Sequence, residues 1–405
     1  MFARRSCQRY VGYGGSNDAY PGHHCDSVRC TRDQQLVGRM SILILLPDLR
    51  GGGVERMRVH LAKHWHAQGV KVDFALMHRR GDLLELLPDE IGIVDLGADR
   101  IRQVILPLAR YLRKARPDFV IAAMWPLTSA AVCSWWLAGK PGRLYLSDHT
   151  QLSISCVREL NTSSRVLGLA IRLTYPSASG LIAVSEGVKK DICRLGGLPE
   201  SLVRVIYNPT TIGVSPHREP IETRQKLWGA GFDHHILSVG MLKEQKDHAT
   251  LIEAFAQLPS VLNAKLAILG EGSLRPELEA LVKRLGIQDR VAIPGFAIDP
   301  YPWFRSADLF VLSSRWEGFG NVIVEALECG VPVVSTDCKS GPAEILANGR
   351  YGKLVPVQDP AALAAAIVES LTQPVDRSQL MGRAKDFAVG TIADQYLAYF
   401  NEGRG

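Results

Sequence analysis

The sequence predicts an α/β protein made of two βα domains in tandem, with a ligand cleft between them. Three observations carry that expectation. Short apolar runs recur from Ser41 onward and are apolar on both alternating faces, as parallel strands covered on both sides are. Glycine-containing turns follow several of these runs and lead into segments of helical period. The alternation breaks once, across residues 210–232, where Thr, Gly, Pro and charged residues dominate the first part, and then resumes.

The chain has 405 residues and a net charge of +6, enough length for two or three domains with substantial cores. The charge is uneven: residues 1–39 carry +3, residues 40–210 carry +7 and residues 211–405 carry −4. The basic first half suits an anionic lipid surface or an anionic acceptor as well as it suits a scatter of solvated side chains. No run reaches the roughly 18 apolar residues of a membrane span. Thr128 to Leu146 comes nearest, and Gly139-Lys140-Pro141-Gly142-Arg143 interrupts it. Eight cysteines in a chain this long make no disulfide framework. Cys133, Cys156, Cys193, Cys329 and Cys338 read as reduced packing residues in apolar segments.

Residues 1–39 differ from the remainder of the chain, with six arginines and no strand or helix periodicity. They read as a disordered basic lead, or as a start codon assigned upstream of a native Met40. His23, His24, Cys25 and Cys30 match no standard zinc spacing. The first domain is expected over 40–210. Ser41–Leu46 reads as a strand, followed by Gly51-Gly52-Gly53 and a helix from Val54 to about Gln68. That glycine loop is a ready anion site. It is neither the dinucleotide G-x-G-x-x-G nor a P-loop, because no Gly-Lys-Ser/Thr follows. Strands are expected at Val70–Met77, Gly92–Leu96, Phe119–Met124, Arg143–Ser147, Leu181–Val184 and Val203–Ile206. Arg102–Arg116 reads as a helix with a basic face and an internal Pro107. Ser185 is a good N-cap for a helix ending near Gly196.

A second domain is expected over 211–388, entered through a short helix at Arg224–Leu227. Its strands are Ile236–Val239, Lys265–Leu269, Val291–Pro294, Leu309–Leu312, Val331–Ser335 and Lys353–Val355, with helices including His248–Gln257 and Arg275–Leu285. Residues 389–405 carry a last helix, Ile392, Tyr396, Tyr399 and Phe400 at helical spacing, expected to pack back on the first domain.

The stretch Leu309–Leu346 carries the chemistry. A buried strand runs into Glu317-Gly318-Phe319-Gly320, a helix from Asn321 to Cys329 follows, and Gly330 sits where a C′ glycine belongs. Ligands of open parallel sheets bind at strand carboxyl ends, against helix N-termini that favour anions. Glu325, one turn into that helix, could accept both hydrogens of a vicinal diol, such as a ribose beside a diphosphate. Glu317 could hold hydroxyls on whatever lies beyond the phosphates. Two glutamates at this separation are common on solvated surfaces; the strand–Glu–Gly-x-Gly–helix–Glu context favours a site.

Several motifs together resemble the retaining glycosyltransferases of family 4. They are Val239 to Phe255 with Lys246, Leu269-Gly-Glu-Gly272, Pro294-Gly-Phe296, the Glu317/Glu325 pair before Gly341-Pro342, Gly51-Gly52-Gly53-Val-Glu-Arg56 and Val184-Ser185-Glu186-Gly187. The likeness runs from residue 40 to near the end of the chain. It implies the GT-B fold, two Rossmann-like domains facing across a cleft, and transfer of a sugar from a nucleotide-diphosphate sugar, UDP before GDP, to a glycan or lipid-linked hydroxyl. It implies Glu317, Lys246 and His149 as the catalytic set. Gly52, Gly53, Gly240, Lys246, Phe296, Phe319, Gly320, Asn321 and Glu325 are implied to hold the donor: Lys246 the diphosphate, Glu325 the ribose, Phe296 the base. One position departs from the pattern. The family's arginine after the glycine at 240 is here Met241, so either another basic residue, Arg56 or Lys243, supplies that charge or the enzyme is slow.

No Asp-x-Asp occurs, and neither a metal nor a resident cofactor is expected. A cytoplasmic enzyme is expected, in contact with the inner face of an anionic membrane through the Arg102–Arg116 helix, with no nucleic-acid partner. Two alternatives stand beside it. One is a UDP-N-acetylglucosamine 2-epimerase, which needs no acceptor; the other is a nucleotide-sugar-binding relative without activity, for which Met241 is the hint.

Overall fold

The computed structural model describes residues 40–158, 163–215 and 217–402. The expected lead and its His/Cys pairs fall outside these residues. Two parallel sheets are present. The first is seven-stranded in the order β3-β2-β1-β4-β5-β6-β7. Its strands are β1 (Ser41–Leu46), β2 (Lys71–Leu76), β3 (Gly92–Asp95), β4 (Phe119–Ala123), β5 (Arg143–Asp148), β6 (Gly180–Ala183) and β7 (Val203–Val205). The second is six-stranded in the order β10-β9-β8-β11-β12-β13. It comprises β8 (His234–Val239), β9 (Ala264–Leu269), β10 (Val291–Gly295), β11 (Leu309–Leu312), β12 (Val333–Thr336) and β13 (Lys353–Val355). This is the doubly wound pair of domains expected, and each sheet reverses its winding at its central strands, β1/β4 and β8/β11. Those are the positions where such sheets open a crevice.

The double-sided apolar pattern has its physical cause in the layers. In β1, Leu43 and Leu45 pack into one core, while Ile42, Ile44 and Leu46 pack into the other. Successive side chains point to opposite faces, and helices cover both. The helix Leu127–Leu137 was legible only as an apolar run. It buries residues around most of its circumference, including Leu127, Ala131, Val132 and Trp135, so no one-sided stripe marks it.

The last helix, Val389–Asn401, belongs spatially to the first domain. Phe400 stacks on Phe119 at 4.8 Å and lies 4.6 Å from the Tyr145 ring, and Tyr396 meets Trp65 edge-on at 5.8 Å. The chain therefore crosses between domains twice, and the two crossings are bonded together. Thr210 and Thr211 donate their N–H groups to the Phe387 carbonyl at 3.0 and 3.1 Å, and Val389 donates to Thr211 at 3.2 Å. Glu328 fastens the outgoing crossing, accepting the N–H groups of Ile212, Gly213 and Val214 on one carboxylate oxygen at 3.0, 2.7 and 3.1 Å.

Candidate active site

The carboxyl ends of β1 and β8 face one another across a cavity of about 490 Å³. Gly51, Gly52, Gly53, Arg56 and His60 wall it from the first domain. Gly240, Met241, Glu271, Phe296, Tyr301, Asn321 and Glu325 wall it from the second. Strand ends and helix starts of both domains thus share one volume.

Lys246 follows β8 and leans under Gly240: a Cβ at that glycine would come within 3.1 Å of the lysine methylenes. The lysine ammonium lies 2.6 Å from Glu317 Oε1, and both side chains are nearly buried. Ser314 Oγ donates to the same carboxylate oxygen at 2.7 Å. Glu317 is therefore held in the turn by a cation and a hydroxyl rather than free in solvent. A pair this close and this little exposed is a charge-assisted contact that fixes both side chains relative to the turn.

The turn 317–320 is also where the domains touch. Gly318 packs so tightly that a Cβ would fall 1.9 Å from the His149 carbonyl oxygen. Ser185, from the Val184-Ser185-Glu186-Gly187 motif, donates its hydroxyl to the Gly318 carbonyl at 2.7 Å. Glu344 accepts the N–H groups of Glu186 and Gly187 at 2.8 and 3.3 Å, capping a first-domain helix from the second domain. Phe319 turns its ring away from the cavity into an aromatic cluster with Tyr207 and Phe387, both 5.5 Å off. Only its backbone remains at the turn. Gly320 has φ 101°, in the left-handed region that glycine adopts without strain, and starts the helix Asn321–Glu328.

Glu325 sits on that helix, half-buried, with its carboxylate toward the cavity. Burial lifts its pKa from the ordinary 4.5 to about 7; the Arg56 charge opposes this, Glu328 adds to it and Lys246 opposes it. Arg56 lines the cavity from the first domain, across from Met241 and Glu325 on the second. Met241 itself lines the cavity as an exposed apolar side chain. The sign of the pH effect follows from the raised value. Protonation is favoured in the folded state, so the contribution of this one group to stability is fully present below about pH 4.5 and is lost as pH rises through about 7. Ligand binding that needs the carboxylate runs the other way. Affinity for a nucleoside diphosphate is expected to weaken below pH 7, and Glu325→Gln to flatten that profile, as measured by calorimetric titration from pH 5.5 to 8.5.

The glycine loop differs from a bare anion site in one respect. The helix Gly53–Ala67 starts with Gly52 at its N-cap, and the Glu55 carboxylate folds over it, 2.2 Å from where a Gly52 Cβ would lie. Burial holds the Glu55 pKa above its ordinary value, so this carboxyl takes up a proton more readily than an exposed one.

His149 lies just behind the cavity wall. Its Nε2 is 2.9 Å from Ser147 Oγ and 3.4 Å from Arg58 Nη2. Burial, reinforced by the Arg58 charge, drives its pKa well below the ordinary value, so the ring is neutral. Arginine has no acceptor, which leaves Nε2 as the acceptor and Nδ1 as the protonated nitrogen. Asn208, just past β7, donates to Asn321 Oδ1 at 2.9 Å and joins the histidine side of the cleft to the helix Asn321–Glu328. Arg58 was not singled out in the sequence. The signal was present: Arg58, Leu61, Ala62 and Trp65 fall on one helical stripe and all are buried. Tyr301 and His60 were likewise missed, and nothing in their local sequence marks them.

Comparison with known proteins agrees with this architecture. A family model described as glycosyl transferases group 1 matches residues 233–373, and one described as glycosyltransferase family 4 matches residues 51–212. An N-acetylgalactosaminyltransferase of Campylobacter jejuni, named for a diphospho-undecaprenol-linked acceptor, is 33% identical over 265 residues, 64% of this chain and 70% of its own. The lipopolysaccharide core biosynthesis glycosyltransferase LpsE of Rhizobium meliloti is 31% identical over 360 residues, 86% of this chain and 95% of its own. Among solved structures, HepE of Anabaena in complex with UDP and glucose superposes with a TM-score of 0.75 at 24% identity, covering 90% of this chain and all of that one.

Proposed function

The chain belongs to the family 4, group 1 glycosyltransferases, and from that premise we propose that it moves a sugar with retention from a UDP-sugar to a hydroxyl of a lipid-linked or glycan acceptor. The setting would be assembly of lipopolysaccharide or another surface polysaccharide, on the cytoplasmic side. The observation that carries this reading is one interdomain cavity lined by Arg56 and Glu325, with the Lys246–Glu317 pair packed directly behind its Gly240 wall. Phosphates, ribose diol and sugar hydroxyls are the groups that such a set complements. Relatives whose names refer to a diphospho-undecaprenol acceptor and to lipopolysaccharide core support the acceptor class, and a neighbour bound to UDP-glucose supports the donor.

In this reading the bond between the anomeric carbon and the β-phosphate oxygen breaks as the acceptor oxygen bonds to that carbon; negative charge builds on the departing diphosphate, and the acceptor's hydroxyl proton passes to a diphosphate oxygen. Lys246 exchanges Glu317 for the phosphate oxygens. Arg56 and the N–H groups at Gly52, Gly53 and Asn321 complete the field around it. Released from the ammonium, Glu317 is free to accept sugar hydroxyls. Neutral His149, tied through Arg58 and Ser147, presents a dipole rather than a charge to the sugar. Glu325 accepts the ribose diol, and Phe296, exposed at the cavity rim, stacks on the base. These cations carry the neutralising role without a metal.

The test is a screen of UDP- and GDP-sugars for nucleotide release by the full chain with EDTA present and Glu325→Ala as control. Slow, Glu325-dependent release from one UDP-sugar is the expected result. EDTA-sensitive release removes the metal-independent reading. Conversion of a free nucleotide sugar without release moves the assignment to an epimerase, and donor binding with no release in the presence of lipid-linked acceptors moves it to a binding relative.

A further inference from the structure

No helix among the described residues is long and apolar enough to cross a membrane, yet a lipid-linked acceptor must be reached. The first domain has a surface suited to that. The helix Ser164–Thr174 buries Leu167, Ile171 and Thr174. It leaves Val166, Leu169 and Leu173 exposed at 60%, 58% and 63%. Their spacing of three and four residues makes one apolar ridge pointing away from the protein. Arg165 and Arg172 flank the ridge, both exposed.

This helix joins the surface expected from sequence. Ser129 Oγ and Thr174 Oγ1 are 3.2 Å apart, and Thr128 Oγ1 and Tyr175 OH 3.0 Å apart, which fixes it beside the helix Leu127–Leu137. On that helix's other side packs Ile101–Ala115, its Arg113 bonded to the Leu137 carbonyl. Ile101–Ala115 buries Val104, Leu108, Ala109 and Leu112 as core and exposes Arg102, Leu106, Arg110, Arg113 and Lys114. The sequence-based candidate thus contributes charge but only one large exposed aliphatic side chain; the apolar ridge is on Ser164–Thr174. Neither of these two helices contains an Asp or Glu.

We propose that the exposed ridge Val166–Leu169–Leu173, with its flanking arginines and the basic face of Ile101–Ala115, docks on an anionic lipid bilayer. The occupant follows from charge. A second copy meeting the same face two-fold would set six cationic side chains against six, whereas an anionic headgroup layer attracts all of them and accepts the three aliphatic side chains at its acyl boundary. The docking uses only the lipid-linked acceptor from the functional reading and is measurable without turnover.

The experiment is co-sedimentation of the full chain with phosphatidylglycerol-containing vesicles and with phosphatidylcholine vesicles. The variants are Val166→Ser/Leu169→Ser/Leu173→Ser and, separately, Arg165→Ser/Arg172→Ser. Wild type is expected to bind anionic vesicles and to bind neutral ones at least tenfold more weakly. The aliphatic triple variant is expected to lose at least tenfold in partitioning, and the arginine pair severalfold. All of these residues are exposed, so nucleotide release without vesicles should be unchanged, which shows that the variants fold. Equal binding to both vesicle types, wild-type binding by the triple variant, or a triple variant that instead converts a dimer to a monomer overturns the proposal. Absence of vesicle binding with Glu325-dependent nucleotide release intact overturns the docking and leaves the transferase reading standing.

Discussion

Lys246→Ala is expected to lower turnover by about 100- to 1,000-fold at saturating donor, the magnitude typical of removing one preorganised stabiliser of developing charge. The loss should fall mainly on kcat. The lysine is paired with Glu317 in the free protein, and in the proposed mechanism it gives up that contact as diphosphate charge grows, which weights its effect toward the transition state. The same substitution removes the partner of a nearly buried carboxylate and is expected to cost about 3 kcal/mol of stability. The two effects can be separated. Adding Glu317→Gln should restore most of the lost stability, since an amide can still accept from Ser314, without restoring turnover. Thermal melts and steady-state nucleotide release on the two single variants and the double variant provide the check. A kcat within fivefold of wild type in Lys246→Ala would remove the lysine from the catalytic set.

Phe400→Ala is expected to destabilise the first domain by about 3–5 kcal/mol, as truncation of a fully buried aromatic does. The side chain is wholly inaccessible and touches rings from two strands and two helices: Phe119, Tyr145, Trp65 and Tyr396. The cavity left would lie between the sheet and the last helix, and the aromatic neighbours come from separate elements that cannot close over it together. At 2–4 °C per kcal/mol for a domain of this size, a drop of roughly 6–20 °C should appear in the first unfolding transition. Urea titration followed by tryptophan fluorescence should show the first domain unfolding ahead of the second, with Trp65 reporting on the altered cluster. A midpoint unchanged from wild type would mean that the helix is dispensable.

Much of the architecture was legible because buried parallel strands write themselves as short double-sided apolar runs. Leu309–Leu312 and Lys353–Val355 occupy the residues their pattern indicates, and Ser185 caps its helix through Val188 as its residue type suggests. The helix Leu127–Leu137 was not legible as such, because a helix packed around most of its circumference loses its period. The site was readable where a motif supplied both the residue and its backbone setting, as at Glu317-Gly318-Phe319-Gly320. It was not readable where the candidate site is assembled from distant segments. The pairing of Lys246 with Glu317, the placing of Arg56 and Glu325 on one cavity and the backing of His149 by Arg58 bring together segments 71, 269 and 91 residues apart. No local pattern encodes such a meeting.

The return of Val389–Asn401 to the first sheet also sets an order in time. The sheet's last strand, β7, ends at Val205, but the rings that finish its core arrive with Tyr396 and Phe400, nearly two hundred residues later on the nascent chain. At 5–20 residues per second the ribosome leaves that gap open for roughly 10–40 s. During it the second domain, whose residues are contiguous, can fold alone while Trp65, Phe119 and Tyr145 wait uncovered. The first domain made is thus the last completed, and the newborn protein acquires a finished cleft only once its final helix has left the exit tunnel.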